Sequence, residues 1–389
     1  MPSGTGTIVE VCNAAGLAEL VPQWEALAAD AAEPNPFYEH WMLLPALEAY
    51  GAGEDFRCIA VWDDGTLGAL IPMRIERRYR GLPVRALCSW RDRNTVIGTP
   101  LVRAKSAAKC IAALLASDVA PLLEFEYLCA GGTFYGALAE AAAAAGLPWL
   151  VTDAFSRALL VRERDPRERF TSNMKNNLRR TEARVRAFGR LEPVRFSSGD
   201  DLARWTEEFM RLEASGWKGR AGSALACRED DRRYTAAILP EAFRRGRLHI
   251  TGLDLDGKPL ARHVLFTAGE GCFTFKIAYD EAYEKCSPGI LAEVDNVRQF
   301  METPGWRWID SNTSRANRTT GRVWKDRHTF QHVVLGLRGA GRVAAAALPL
   351  VRLAKHWLKS LRHSGQSRDS IVTEGLRYAG GRTAAPRPR

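Results

Sequence analysis

Two carboxylates and two tyrosines close short apolar runs in the second half of the chain. Asp280 follows Phe275-Lys-Ile-Ala-Tyr279, Tyr283 comes three residues later, and Asp310 ends Arg307-Trp-Ile. A carboxylate that becomes partly buried at the end of a strand has its pKa raised, and can take a proton from an amine that titrates near ~10.4. A tyrosine hydroxyl nearby can return a proton to a leaving group. Asp310 is the preferred base, because open α/β sheets hold ligands beyond the carboxyl ends of their strands; Asp280 is second, and Tyr279 or Tyr283 is the acid. Ser287-Pro-Gly289 adds a serine suited to cap a helix, a proline suited to its first position and a glycine that leaves room for close approach. Helix N-termini carry free N–H groups and partial positive charge, so this turn is a candidate for holding a diphosphate.

These residues need a strand, a turn and a helix to hold them. Phe273, Phe275, Ile277 and Tyr279 alternate with Cys272, Thr274, Lys276 and Ala278, which is the period of a strand. Ile290, Leu291, Val294, Val297 and Phe300 then recur at steps of three and four, laying one apolar stripe along a helix. An ordinary crossover shares this pattern. Upstream, Leu202, Trp205, Phe209 and Leu212 predict a helix ending near Gly216, Trp217 to Arg220 reads as a loop, and a charged helix spans Asp230 to Arg245. Downstream come a strand over Arg307 to Asn312, a helix over Arg315 to Trp324, and a strand over Thr329 to Gly336 that completes the sheet. Asp64-Gly65 and Asp256-Gly257 each join two apolar runs, the signature of a tight hairpin. Each hairpin follows two helical segments, so one α/β unit is weakly duplicated along the chain. In the first half the corresponding βα segment, Leu122 to Tyr135, has Gly131-Gly132 but leads into an alanine-rich helix with no basic residue. That half is read as structural or acceptor-binding.

The pieces Leu212-Glu-Ala-Ser-Gly-Trp-Lys-Gly-Arg220, Phe275-Lys-Ile-Ala-Tyr-Asp280, Ser287-Pro-Gly-Ile-Leu291, Trp308-Ile-Asp-Ser311 and Arg322-Val-Trp-Lys-Asp-Arg327, in that order, cover most of residues 170–335. Together they resemble the GNAT superfamily of acetyltransferases, above all its CelD-type group, which is related in fold to the FemABX transferases. The resemblance implies an α/β fold of two tandem GNAT-like domains on a mixed sheet, the second carrying the cofactor turn. It places an N-terminal domain at 1–161, a catalytic domain at 162–336 and a basic helix with a disordered tail at 337–389. The implied cofactor is acetyl-CoA or another acyl-CoA, held by Ile277, Ala278, Ser287, Pro288, Gly289, Ile290 and Leu291. Acceptor contacts fall on Trp217, Lys218 and Arg220, joined by Lys276, Ser311, Asn312 and Trp324. Such proteins usually have Gln/Arg-x-x-Gly-x-Gly/Ala at the turn, where this chain has Ser287-Pro-Gly289. The implied activity is N- or O-acyl transfer to a small or sugar-linked acceptor in polysaccharide or cell-envelope metabolism. A FemABX-like aminoacyl transferase using aminoacyl-tRNA and a non-catalytic binding module remain the alternatives.

Composition bounds the rest. The 389 residues, 46% hydrophobic and 26% charged, suit a globular protein of two domains, and the net charge of +10 favours an anionic partner. Ten basic residues from Arg162 to Arg190 form the strongest cluster, read as a solvated helix or as a rim that attracts an anion. No specific nucleic acid is expected, since no aromatic stacking platform interrupts these arginines; tRNA enters only under the aminoacyl alternative. The eight cysteines have no zinc-like spacing, and His328 and His332 lack an evident carboxylate partner, so no metal is expected. There is no Gly-x-Ser-x-Gly elbow and no Walker loop, which argues against hydrolase and nucleotide-hydrolysing chemistry. The N-terminus lacks a signal peptide, and Val343 to Val351 falls short of the ~20 residues that span a bilayer. A cytoplasmic location is expected. Arg338 to Arg362 reads as a basic amphipathic helix that docks on the protein or peripherally on the inner membrane face.

Overall fold

Parallel strand pairing occurs twice in the computed structural model, once in each half of the chain, and the rest of the sheet is antiparallel. The structure describes residues 6–163, 165–313 and 320–350. Its strands are β1 (Thr7–Cys12), β2 (Phe56–Asp63), β3 (Thr66–Glu76), β4 (Ala86–Ser89), β5 (Leu101–Val102), β6 (Leu122–Cys129) and β7 (Trp149–Val161), followed by β8 (Leu191–Arg195), β9 (Leu248–Leu255), β10 (Lys258–Ala268), β11 (Gly271–Tyr279), β12 (Trp308–Asp310) and β13 (Asp326–Gly336). They form one mixed sheet in the order β1-β2-β3-β4-β6-β13-β7-β12-β11-β10-β9-β8, with β5 beside β3. This is the mixed α/β architecture expected from the sequence.

The two halves repeat one plan. In the first, β1 to β4 are antiparallel and β4 then pairs in parallel with β6; in the second, β8 to β11 are antiparallel and β11 pairs in parallel with β12. Both hairpins turn on Asp-Gly with positive φ at both residues, 48° and 75° at Asp64-Gly65 and 48° and 72° at Asp256-Gly257. That geometry matches the twist of the flanking strands and suits Asp and Gly.

The join between the halves differs from the expectation. β13, the strand nearest the C-terminus, completes the sheet inside the first half, between β6 and β7, rather than beside its own neighbours in sequence. β7, the last strand of the first half, in turn covers the edge of β12. Each half is therefore closed by the other's final strand. The helices cross the same boundary. Trp41, on the helix His40–Tyr50, meets Phe266 of β10 edge-on at 6.0 Å, and Phe37 meets Phe273 of β11 at 6.1 Å.

Among the helices, Leu202–Ser215, Glu229–Arg244 and Pro288–Glu302 lie where the apolar spacing put them, the second containing Pro240. Trp217–Arg220, read as a loop, is a four-residue helix. Of the ten basic residues in the cluster, Lys175, Arg179, Arg180, Arg184 and Arg186 lie on the helix Ser172–Arg186, which buries only Val185. Arg164 and Arg315–Arg318 lie outside the described residues, as does the C-terminal segment beyond a helix over 339–350. No helix among the described residues is long and apolar enough to cross a membrane.

The exchange predicts that the halves unfold together. Calorimetry should give one transition, and Arg157→Met, which strands the buried Asp310 carboxylate, should lower the unfolding free energy by about 3–5 kcal/mol. Two separate transitions in the unaltered protein would show that the halves are independent.

Candidate active site

The parallel pair β11 and β12 holds together only over Gly271–Phe273 against Trp308–Asp310. Past that point Thr274–Tyr279 keep β10 on one side and face no strand on the other, while Ser311, Asn312 and Thr313 lead away. The gap opens into a cavity of about 470 Å³. Thr274–Tyr279 form one wall and Ser311–Thr313 the other. Glu293 reaches in from the second turn of Pro288–Glu302, and Glu213, Trp217 and Lys218 close it from the helices that follow β8. Arg93, Asn94 and Val96 come from the first half, so the site is built by both.

Most charges on this wall are already engaged. Lys218 Nζ donates to Glu213 Oε1 and to the Ile277 carbonyl, both at 2.8 Å. Lys276 Nζ donates to Asn94 Oδ1 at 2.8 Å, and its burial pulls the ammonium pKa below the ordinary lysine value. Arg93 pairs with Asp230 and Asp231, and Glu281 accepts the Trp217 N–H and pairs with Arg220.

Glu293 is different. It is 2% exposed; its Oε1 accepts a hydrogen bond from Thr320 at 2.7 Å, and its Oε2 has no partner among the described residues. Burial pushes its pKa up to about 7, against the opposing pull of Thr320 and Asn296. A carboxyl group with that value exchanges protons near neutral pH, as a general base must. Thr274 Oγ1 and both polar atoms of the Asn312 amide are likewise buried at the cavity without a partner among the described residues. Tyr279 lines the cavity too; burial, with Glu281 and Glu284 nearby, raises its pKa, so its hydroxyl stays protonated at neutral pH.

Residues 172–317 match a family model described as an acetyltransferase (GNAT) domain. That span contains β11, β12 and Glu293. No curated protein sequence matches the chain significantly. Among solved structures, the crystal structure of FemX is similar at 12% identity and a TM-score of 0.51, covering 86% of this chain and 98% of that one. A conserved protein of unknown function from Bacteroides thetaiotaomicron is similar at 12% identity and a TM-score of 0.50, covering 82% and 97%. A tandem GNAT protein from the clavulanic acid biosynthesis pathway aligns at 14% identity and a TM-score of 0.44, covering 86% and 99%. At these identities the likeness to FemX and the Bacteroides protein is one of fold.

The structure sorts the residues singled out from sequence. Lys276, Ile277, Ala278 and Tyr279 line the cavity, as do Trp217, Lys218, Ser311 and Asn312. Asp310 does not. It is buried against Arg157, with His328 Nε2 at 3.2 Å from its Oδ2, and its Oδ1 accepts the Asn312 N–H at 2.7 Å. Burial alone would raise its pKa, but Arg157 and His328 hold the carboxyl well below the usual range, which suits a counterion and not a base. The carboxylate partner of His328 that the sequence left unseen is this one. Asp280 caps the turn after β11 by accepting the Ala282 N–H, and Tyr283 packs on Phe188, both away from the cavity. Arg220 is held by Glu281, and Trp324 is wholly buried in the core with Phe300 and Trp306.

The diphosphate turn also needs correction. Ser287, Pro288, Gly289, Ile290 and Leu291 are not among the residues lining the cavity. Pro288 has no N–H, the Ile290 N–H goes to the Ser287 carbonyl, and Gly289 is buried under the Tyr279 ring, where an added Cβ would lie 3.2 Å from ring carbons. Ser287 takes a left-handed conformation, φ 48°, and its side chain makes no capping bond. Few donors remain there for a phosphate. Sequence reasoning missed Glu293, although the signal was present: a carboxylate inside the apolar stripe, three residues after Ile290 and four before Val297.

Folded Glu293 keeps its proton to about pH 7, whereas an unfolded glutamate releases it near pH ~4.3. The stability it contributes is therefore present below about pH 4 and lost as the pH rises through about 7, a change of about 4 kcal/mol at most. Denaturant titrations across that range should show this slope in the parent protein and a flatter one in Glu293→Gln; equal slopes would mean that Glu293 ionises normally.

Proposed function

We propose that this protein is an acyl-CoA-dependent N- or O-acyltransferase acting on a small or sugar-linked acceptor, with Glu293 as its general base. The observation that carries the reading is the buried Glu293 Oε2, without a partner among the described residues and lining the cavity between β11 and β12, within the span that matches the acetyltransferase family model. Thr274–Tyr279 offer a strand edge without a neighbouring strand, along which the acyl end of a thioester and its extended arm can lie. When bound, the thioester supplies an activated acyl carbon. Glu293 Oε2 takes the proton of the acceptor's amine or hydroxyl as that atom bonds to the acyl carbon and the carbon–sulfur bond breaks. The Tyr279 hydroxyl, held protonated, returns a proton to the departing sulfur. Lys218 and Lys276 keep the wall in place through Ile277 and Asn94.

A second reading, aminoacyl transfer from a charged tRNA, draws on the exposed Lys175, Arg179, Arg180 and Arg184 of the basic helix, a surface suited to a polyanion.

Thermal-shift titration with acetyl-CoA should stabilise both the parent protein and Glu293→Gln, while the variant loses roughly 10²–10⁴ in kcat and the rising limb of its pH profile near 7. Stabilisation by charged tRNA and none by acetyl-CoA would favour the second reading instead.

A further inference from the structure

The cavity wall separates into groups that are satisfied and groups that are not, and the second set describes the ligand. The satisfied ones are the fixed charges. Lys218 is taken by Glu213 and Ile277, Arg93 by Asp230 and Asp231, Glu281 by Trp217 and Arg220, and Lys276 by Asn94. The atoms without a partner among the described residues belong to a hydroxyl, an amide and a carboxyl: Thr274 Oγ1, Asn312 Nδ2 and Oδ1, and Glu293 Oε2. All three side chains are more than nine-tenths buried and line the cavity. Buried polar atoms are seldom left without partners, so their grouping in one cavity points to a bound molecule that supplies them.

We infer that, within the acyltransferase reading, the acceptor is a neutral molecule bearing several hydroxyl groups, so that the transfer is an O-acylation. A hydroxyl both donates and accepts. It can accept from Asn312 Nδ2, donate to Asn312 Oδ1 or Glu293 Oε2, and do either with Thr274. An ammonium only donates, so it would leave the Asn312 Nδ2 donor without an acceptor. A carboxylate only accepts, and it would leave Asn312 Oδ1 and an ionised Glu293 unpaired. Trp217, 55% exposed where it borders the cavity, offers an aromatic face to the carbon side of a sugar-like ring. Asn312 is held ready by its backbone: it sits at φ 44°, a left-handed conformation that asparagine tolerates, with its N–H tied to Asp310. In the step, the acceptor O–H proton passes to Glu293 Oε2, the new C–O bond forms as the C–S bond breaks, and the thiolate takes the Tyr279 proton.

The test follows acetyl transfer by release of the CoA thiol, with methyl hexosides, hexosamines and hexuronates as matched neutral, cationic and anionic acceptors. The highest kcat/KM should fall to a neutral member. Thr274→Val, which keeps the side-chain shape, and Asn312→Asp, which keeps the backbone conformation, should each raise its KM roughly tenfold while the acetyl-CoA thermal shift stays unchanged. A highest kcat/KM with a hexosamine or a hexuronate, no transfer to any neutral member, or an unchanged KM in both variants would overturn the inference. Loss of the acetyl-CoA shift in the parent protein would strike the acyltransferase reading instead. Hydroxyl recognition would then be tested by methyl-hexoside binding in NMR titrations, and absence of binding that is weakened by Thr274→Val would overturn it as well.

Discussion

A buried guanidinium ties the sheet, the two halves and the cavity together. Arg157 stands on β7, pairs with Asp310 on β12, lies 3.8 Å over the Phe330 ring of β13, and donates to the Val96 carbonyl. A charge so far from water persists only with a counterion in place, so the strands that carry these partners must meet. Its effects run outward in two directions. Through Asp310, which accepts the Asn312 N–H, it fixes one wall of the cavity; through Val96 it holds the first-half loop that also lines it. The strand exchange and the site therefore share one constraint.

The same loop fills in the first half the gap that lies open in the second. In the first half, β4 and β6 are parallel over Ala86–Cys88 against Leu122–Glu124, the counterpart of β11 and β12. Residues that follow β4 lie along the gap beyond. Gly98 donates to the Tyr127 carbonyl at 3.0 Å, so near the sheet that a Cβ would fall 2.0 Å from the Glu126 oxygen. Arg91 pairs with Glu126 and covers the Tyr127 ring. The segment that fills the gap of its own half then presents Arg93, Asn94 and Val96 to the cavity of the other. A loop used in this way cannot also leave room for a ligand at home.

What was legible in the sequence was local. Asp64-Gly65 and Asp256-Gly257 specify their turns by backbone preference alone, and the alternation over 272–279 and the stripe from Ile290 to Phe300 give their elements directly. The site resisted because its contacts are distant. Asp310 and Arg157 are 153 residues apart, and Lys276 and Asn94 are 182 apart. Without its partner Asp310 looks like a base; with it, the carboxyl is a fixed anion. Ser287-Pro-Gly289 misled for a related reason. Serine, proline and glycine are what a helix start prefers, and they say nothing about whether Tyr279 will lie across it. β13 could be read as a strand, but which half it joins depends on pairing with β6 and β7 and not on its own residues.

The distribution of satisfied and unsatisfied groups sets a balance between stability and binding. A buried polar atom without a partner lowers stability by about 1–3 kcal/mol, and the cavity gathers several of them on Thr274, Glu293 and Asn312. On the same cavity wall Glu213, equally buried, receives both Lys218 and the Leu225 N–H. The contrast lies between neighbours on one surface, so it reflects where each group points and not a general looseness of packing. Glu293 gains from the arrangement. A cationic partner for Oε2 within the protein would lower its pKa, as Arg157 lowers that of Asp310, and would remove its proton exchange near neutrality. Glu293 Oε2, without a partner among the described residues, and Asp310, paired with Arg157, are thus carboxyl groups of opposite pKa direction in one fold.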